Sequence, residues 1–117
     1  MSSTCPLIVP NGRAFPLADC PILSIDRFRR HILEEIAMGG RLSALCAYSR
    51  SAGGLRLLAA VARSSEGDLA ILATDVGSEY PSLTPDCPQS HLFEREIFEQ
   101  WKVRPLGHPW LKPVRFP

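Results

Sequence analysis

The chain has 117 residues, 45% hydrophobic and 21% charged, with a formal net charge of +1. That length suits a single domain around one core. Near-neutrality leaves no field that would steer the chain to nucleic acid or anionic lipid, and the basic residues are scattered. No apolar run reaches the ~20 residues of a membrane-spanning helix. The opening Met1-Ser2-Ser3-Thr4-Cys5-Pro6 lacks the charged start and apolar stretch of a secretion signal, so a cytoplasmic location without membrane insertion is expected.

Residues 1–23 carry short apolar pieces broken by Pro6, Pro10, Pro16 and Pro21. Asn11-Gly12, between Leu7-Ile8-Val9 and Ala14-Phe15, reads as a two-residue hairpin turn, and the prolines confine any strands to an edge. Ser24 then reads as a helix N-cap with Asp26 in the first turn. Ile25, Phe28, Ile32 and Ile36 follow at helical spacing, flanked by Leu33 and Ala37. Gly39-Gly40 ends this helix at about residue 38.

Three β-like runs come next, at about 42–48, 55–63 and 69–76, separated by the turn-forming stretches 51–54 and 65–68. Links this short favour an antiparallel meander. Leu57-Leu58-Ala59-Ala60-Val61 is apolar on both faces, as a strand covered on each side would be.

From residue 77 the prolines of Tyr80-Pro81, Thr84-Pro85 and Cys87-Pro88 impose extended chain. Asp86 with Gln89 three residues later reads as a capping box for a second helix over 87–101. Its expected buried stripe is Phe93, Ile97 and Trp101, and prolines at 105, 109 and 113 make the remainder irregular. The fold class is therefore α+β: a mostly antiparallel sheet of three to four strands with one helix on a face. A second helix and a proline-rich carboxyl extension complete it. The chain reads as one domain in three stretches, 1–23, 24–79 and 80–117.

Four cysteines, Cys5, Cys20, Cys46 and Cys87, are too widely spaced for a Cys-x-x-Cys metal or cluster site and read as reduced structural thiols. Cys46, in an apolar run, reads as buried. Gly39-Gly40 and Gly53-Gly54 lack the surroundings of a phosphate loop. Neither a metal nor a cofactor is expected.

The residues from Tyr80 onward are less generic: Tyr80-Pro81-Ser82-Leu83-Thr84-Pro85, then Glu94-Arg95-Glu96, then Gly107-His108-Pro109-Trp110-Leu111-Lys112. In this combination and spacing the segment resembles the family of the 30-kilodalton subunit of respiratory complex I, the NADH dehydrogenase of respiratory chains. The ending is most similar to the version in complex I-related membrane-bound nickel–iron hydrogenases, formate hydrogenlyase included. Two positions depart from the family pattern. Leu92 stands where an aromatic residue is usual, and Lys102 stands where a glycine ends the helix. At a left-handed helix end a lysine carries a steric cost that glycine does not.

The resemblance implies a non-catalytic structural subunit, or an N-terminal domain, of a hydrogenase or NADH:quinone oxidoreductase complex peripheral to the membrane. Its implied partners are the large subunit (49-kilodalton-like or nickel–iron type) and neighbouring iron–sulfur subunits. The implied interface comprises Tyr80, Pro81, Ser82, Leu83, Thr84, Glu94, Arg95, Glu96, Gly107, His108, Pro109, Trp110 and Lys112. Taken alone, Glu94, Arg95 and Glu96 would be a solvated helix face with a weak Arg95–Glu99 pair. The alternative from another class is a small enzyme using Asp86, His91 or His108. Asp86, Ser90 and His91 would crowd one helical turn, which argues against a nucleophilic triad.

Overall fold

A computed structural model describes residues 7–10, 20–50, 53–63, 67–109 and 111. The readings at Asn11-Gly12, Cys5, Trp110 and Lys112 lie outside the described residues. The elements run β1 (Leu7–Pro10), β2 (Ile22–Leu23), α1 (Ile25–Ala37), β3 (Arg41–Ser49), β4 (Leu55–Arg63), β5 (Asp68–Val76) and β6 (Glu79–Pro81). A 3₁₀ turn (Pro88–Ser90), α2 (His91–Trp101) and β7 (Arg104–Leu106) follow.

The main sheet has the order β1-β5-β4-β3. Its three long strands form the expected antiparallel meander, with Leu57↔Thr74, Ala59↔Leu72 and Val61↔Ala70 facing one way between β4 and β5. Two short strands extend it along the outer edge of β5. β1 pairs antiparallel with residues 68–71, and β2 pairs parallel at Ala73 and Thr74. Pro10 sits at the end of an edge strand, the place where a missing N–H costs no ladder bond.

α1 forms where its cap and stripe predict. Ser24 is extended, and its Oγ accepts the Arg27 N–H at 3.3 Å. Phe28 and Ile32 are fully buried against Leu57, Ala59, Val61 and Leu72, while Ile25, Leu33 and Ile36 pack on the margin. Burying two such side chains contributes about 1.5–3 kcal/mol each. Gly39 takes φ 95° to end the helix, and Gly40 runs so close to it that a Cβ would lie 2.7 Å from the Glu35 carbonyl.

A smaller cluster on the opposite face of the sheet buries Val9, Cys20, Ile71 and Ala73, with Leu58 and Ala60 half-covered against it. The double apolar face of β4 and β5 is thereby accounted for. Cys46 falls on this second face beyond that cover and is exposed rather than buried. The apolar run around it reflects two-sided β-strand composition, not burial of each member.

The second helix differs from expectation at both ends. Asp86 and Gln89 do not form a capping box. The Asp86 carboxylate pairs with Arg29 at 3.3 Å, and Gln89 Oε1 accepts the Leu42 N–H at 2.7 Å. A turn closed by Cys87 N–H to Leu83 O at 2.7 Å and the 3₁₀ turn lead into α2 instead. At the other end Trp101 is exposed, and the fully buried α2 side chains are Glu94 and Ile97.

α2 ends at Lys102, whose φ of 60° and ψ of 24° make it the one described non-glycine residue with positive φ. The helix end does adopt the left-handed conformation that the missing glycine would favour. Replacing Lys102 with glycine is therefore expected to stabilise the fold by about 1 kcal/mol, raising the thermal midpoint by roughly 4 °C. A lower midpoint would show that the lysine side chain contributes more than its backbone costs.

Candidate docking surface and the motif that builds it

The segments singled out in the sequence converge. β6 and β7 pair in parallel, with Tyr80↔Pro105 and Pro81↔Leu106, a small second sheet that the sequence pattern does not foretell. Ser82 N–H continues it to the Leu106 carbonyl at 2.8 Å, and Arg104 N–H does the same to Ser78. The Tyr80–Thr84 stretch and the stretch leading to Gly107-His108 are thus neighbours in space.

Beneath them lies Glu94, 0% exposed on the inward side of α2. Four donors from one turn converge on its carboxylate: Ser82 Oγ at 2.6 Å, Leu83 N at 3.0 Å, Thr84 N at 3.1 Å and Thr84 Oγ1 at 2.5 Å. Successive N–H groups pointing to one spot make an anion-binding concavity, occupied here by the chain's own side chain. Ser90 donates to the Cys87 carbonyl at 2.8 Å and touches the Thr84 hydroxyl at 3.1 Å, which extends the network. Arg29, from α1, clamps the same turn from outside through Ser82 O at 3.2 Å and Asp86.

The interface residues expected from sequence therefore divide. Tyr80, Ser82, Leu83, Thr84 and Glu94 are buried within this chain, so the solvated-face reading of Glu94 is corrected. Pro81, Gly107 and Pro109 are exposed, and Arg95, Glu96 and His108 are half-buried. Sequence reasoning missed the part played by Arg29 and by Gln89, read only as a cap. It also missed the exposure of Leu92 and Leu106. The i, i+4 stripe through Phe93, Ile97 and Trp101 hid Glu94, because a carboxylate scores as solvent-facing until its donors are known.

Of the residues considered for catalysis, His91 and His108 do meet. Their rings lie 5.1 Å apart, and His108 Nε2 is 3.2 Å from the His91 carbonyl oxygen. Partial loss of water and the charges of His108 and Arg95 hold the His91 pKa below its usual value. Asp86 is paired with Arg29, and the Ser90 proton goes to a backbone carbonyl, so no nucleophile–base–acid chain assembles. Among the described residues no group of three or more His, Cys, Asp or Glu could hold a metal ion.

Two grooves adjoin α2. One, of about 610 Å³, is lined by Pro88, Gln89, His91, Leu92, Phe93 and Glu96. The other, of about 260 Å³, runs between residues 44–47 of β3 and the α2 side chains of Phe93, Glu96, Ile97 and Gln100. They share Phe93 and Glu96. Apolar surface predominates in both, with Gln89, His91 and Glu96 in the larger and Glu96 and Gln100 in the smaller.

No protein-family model matches the chain, and no curated protein matches it. Among solved structures the fold matches the trypsin-resistant fragment (1–134) of Nqo5, with a TM-score of 0.62 and 19% identity. The match covers 91% of this chain and 89% of that one. At that identity the likeness establishes the shared fold.

Replacing Glu94 with alanine would leave four donors without an acceptor, and should cost about 3–5 kcal/mol in denaturant unfolding. A loss near that of a surface residue would contradict the assigned role.

Stability should also respond to alkaline pH. Burial, and then the charge of Glu94, push the Tyr80 phenol far above its ordinary 10.0. Burial pushes Cys20 from 9.0 to about 11 against the opposing charge of Arg56, and raises Cys87 as well. The folded chain thus keeps protons that the unfolded chain releases, so the stability from a raised pKa is complete below the unfolded value and is lost as pH rises from there through the folded one. Stability from these groups should be complete below about pH 9 and should fall as pH rises through 9 and 10. The check is the thermal midpoint against pH, with tyrosinate absorbance followed in parallel. In Tyr80→Phe the decline above pH 10 should be shallower.

Proposed function

We propose that this chain is a non-catalytic docking subunit, or docking domain, of a complex I-like oxidoreductase, of the 30-kilodalton-subunit type. The likeness to Nqo5, a subunit of that type, supports membership of such an assembly. The observation that carries the reading is internal. The residues behind the resemblance are the ones that form the Glu94 network, and they set Glu96, next to the half-buried Arg95, in the wall of both grooves.

In this reading the chain packs against the large subunit, with Pro81, Arg95, Glu96, Gly107, His108 and Pro109 at or near the contact, together with Trp110 and Lys112. Neighbouring iron–sulfur subunits complete the surroundings. The contribution is geometric: a rigid docked body fixes the separations between cofactors that other subunits carry. In this reading the site of action is the cytoplasmic side of the membrane, reached by contact with the other subunits; no described helix is long and apolar enough to cross a bilayer. The resemblance of the carboxyl end favours the hydrogenase branch over the NADH:quinone branch.

Affinity purification of the tagged chain from its native membranes tests this. A large subunit should co-purify, and paired Cys-x-x-Cys motifs in that subunit would mark the nickel–iron branch. Arg95→Ala should reduce recovery of the large subunit about tenfold, the scale of losing one interfacial anchor, while thermal unfolding of the isolated chain stays nearly unchanged. Unchanged recovery would place the contact elsewhere.

A further inference from the structure

Lys102 sits on backbone that costs a lysine more than a glycine, and no other described non-glycine residue has positive φ. Strain of this kind gathers at sites where a side chain serves something other than stability. The Lys102 side chain is exposed, and among the described residues its ammonium makes no ion pair.

From this lysine the chain alternates. Val103 and Pro105 turn inward and are buried, while Lys102, Arg104 and Leu106 are exposed, the period of two of an extended strand. The Arg104 guanidinium lies 5.8 Å from the centre of the Phe98 ring, within cation–π range. Its register partner on β6 is Glu79, but among the described residues Arg104 makes no ion pair either. Leu106 is paired in register with Pro81, which is also exposed. The outward side of β7 and its approach is therefore a line of two cations followed by an apolar pair. Exposed cations are common on any surface. These two are set apart by the strained backbone under the first and the aromatic ring beneath the second, which fix where both side chains leave the fold.

We propose that this line receives an acidic segment of the large subunit, with carboxylates directed to Lys102 and Arg104 and an apolar side chain against Leu106 and Pro81. Charge complementarity names the occupant, because Arg29, Arg50, Arg56 and Arg63 have carboxylate partners within the chain and these two cations have none. Two cations also fall short of the about four to eight that mark a lipid-binding cluster. Charges paired across an interface rim set the association rate and its salt dependence. The inference rests on the assembly reading above and specifies a contact within it.

Lys102 and Lys112 are the only lysines in the sequence, which makes a carbodiimide a selective probe: it joins an ammonium to a carboxylate in contact with it as an amide. Treating the co-purified complex should link Lys102 to an aspartate or glutamate of the large subunit, identified by mass spectrometry of the joined peptides. A complex with no link from Lys102 overturns the proposal and leaves the assembly reading standing. A link to a second copy of this chain overturns it as well. A chain that co-purifies with no large subunit removes the assembly reading and this inference with it.

Lys102→Gly separates association from folding, since it should raise the thermal midpoint of the isolated chain yet lower recovery of the large subunit about threefold at low salt. The double variant Lys102→Glu, Arg104→Glu should lower recovery about tenfold or more, and recovery with the parent chain should fall as salt is raised. Full recovery with either variant overturns the proposal. Vesicles of phosphatidylcholine and phosphatidylglycerol supply the control. Sedimentation of the parent chain with them, lost in the double variant, would assign the line to lipid and so overturns the proposal.

Discussion

A carboxylate removed from water must be surrounded by donors, and in this fold that requirement falls on Glu94. The turn at residues 82–84 has the shape it has because two consecutive N–H groups and two hydroxyls must reach one side chain on α2. Fixing the turn fixes β6 just before it, and β6 carries β7 through their parallel pairing. Ile97, one turn on from Glu94, then enters the same core as Phe28 and Ile32, so that the second half of the chain joins the first through one helix face. Losing the carboxylate would not remove one bond of about 1 kcal/mol. It would strand several buried donors at once, each at the larger cost of an unmade bond.

The tyrosine beside this network has the opposite character. The Tyr80 hydroxyl is buried and among the described residues makes no well-formed hydrogen bond, yet it lies near enough to Glu94 for that carboxylate's charge and weak hydrogen bonding to oppose its ionisation. Its ring belongs to the main core, so burial of the ring outweighs the poorly satisfied hydroxyl. The two residues show how differently a buried polar group is tolerated. The carboxylate is held by donors, and the phenol is carried in by its apolar body.

Much of the fold was legible because its signals are local. The stripe and cap of α1, the three long strands and the glycines that end α1 follow from side-chain period and turn chemistry within a few residues of each position. The features that were not legible depend on partners far away in sequence. Asp86 is as good an N-cap as any aspartate, but Arg29, 57 residues earlier, takes its carboxylate. Gln89 is drawn to Leu42 in the same way across 47 residues. The pairing of β6 with β7 involves strands of three residues each, too short for any periodic signal. Lys102 is the instructive intermediate case. A glycine is usual at a left-handed helix end, the lysine stands out of pattern, and the backbone adopts that conformation anyway because the fold demands it.

The candidate surface was legible by position more than by role. The combination of Tyr80–Pro85 with Glu94 marks this region, but its members are mostly turned inward, so the resemblance reports how the turn and helix are built. A side chain that spends its hydrogen bonds inside its own chain has none left for a neighbour. The partly exposed groups beside the network are Arg95 and Glu96 on the adjoining arc of α2 and His108 over its first turn. A rigid buried knot next to half-exposed charges is what a docking surface requires, since the ordering cost of the contact is met when the chain folds and not when it binds.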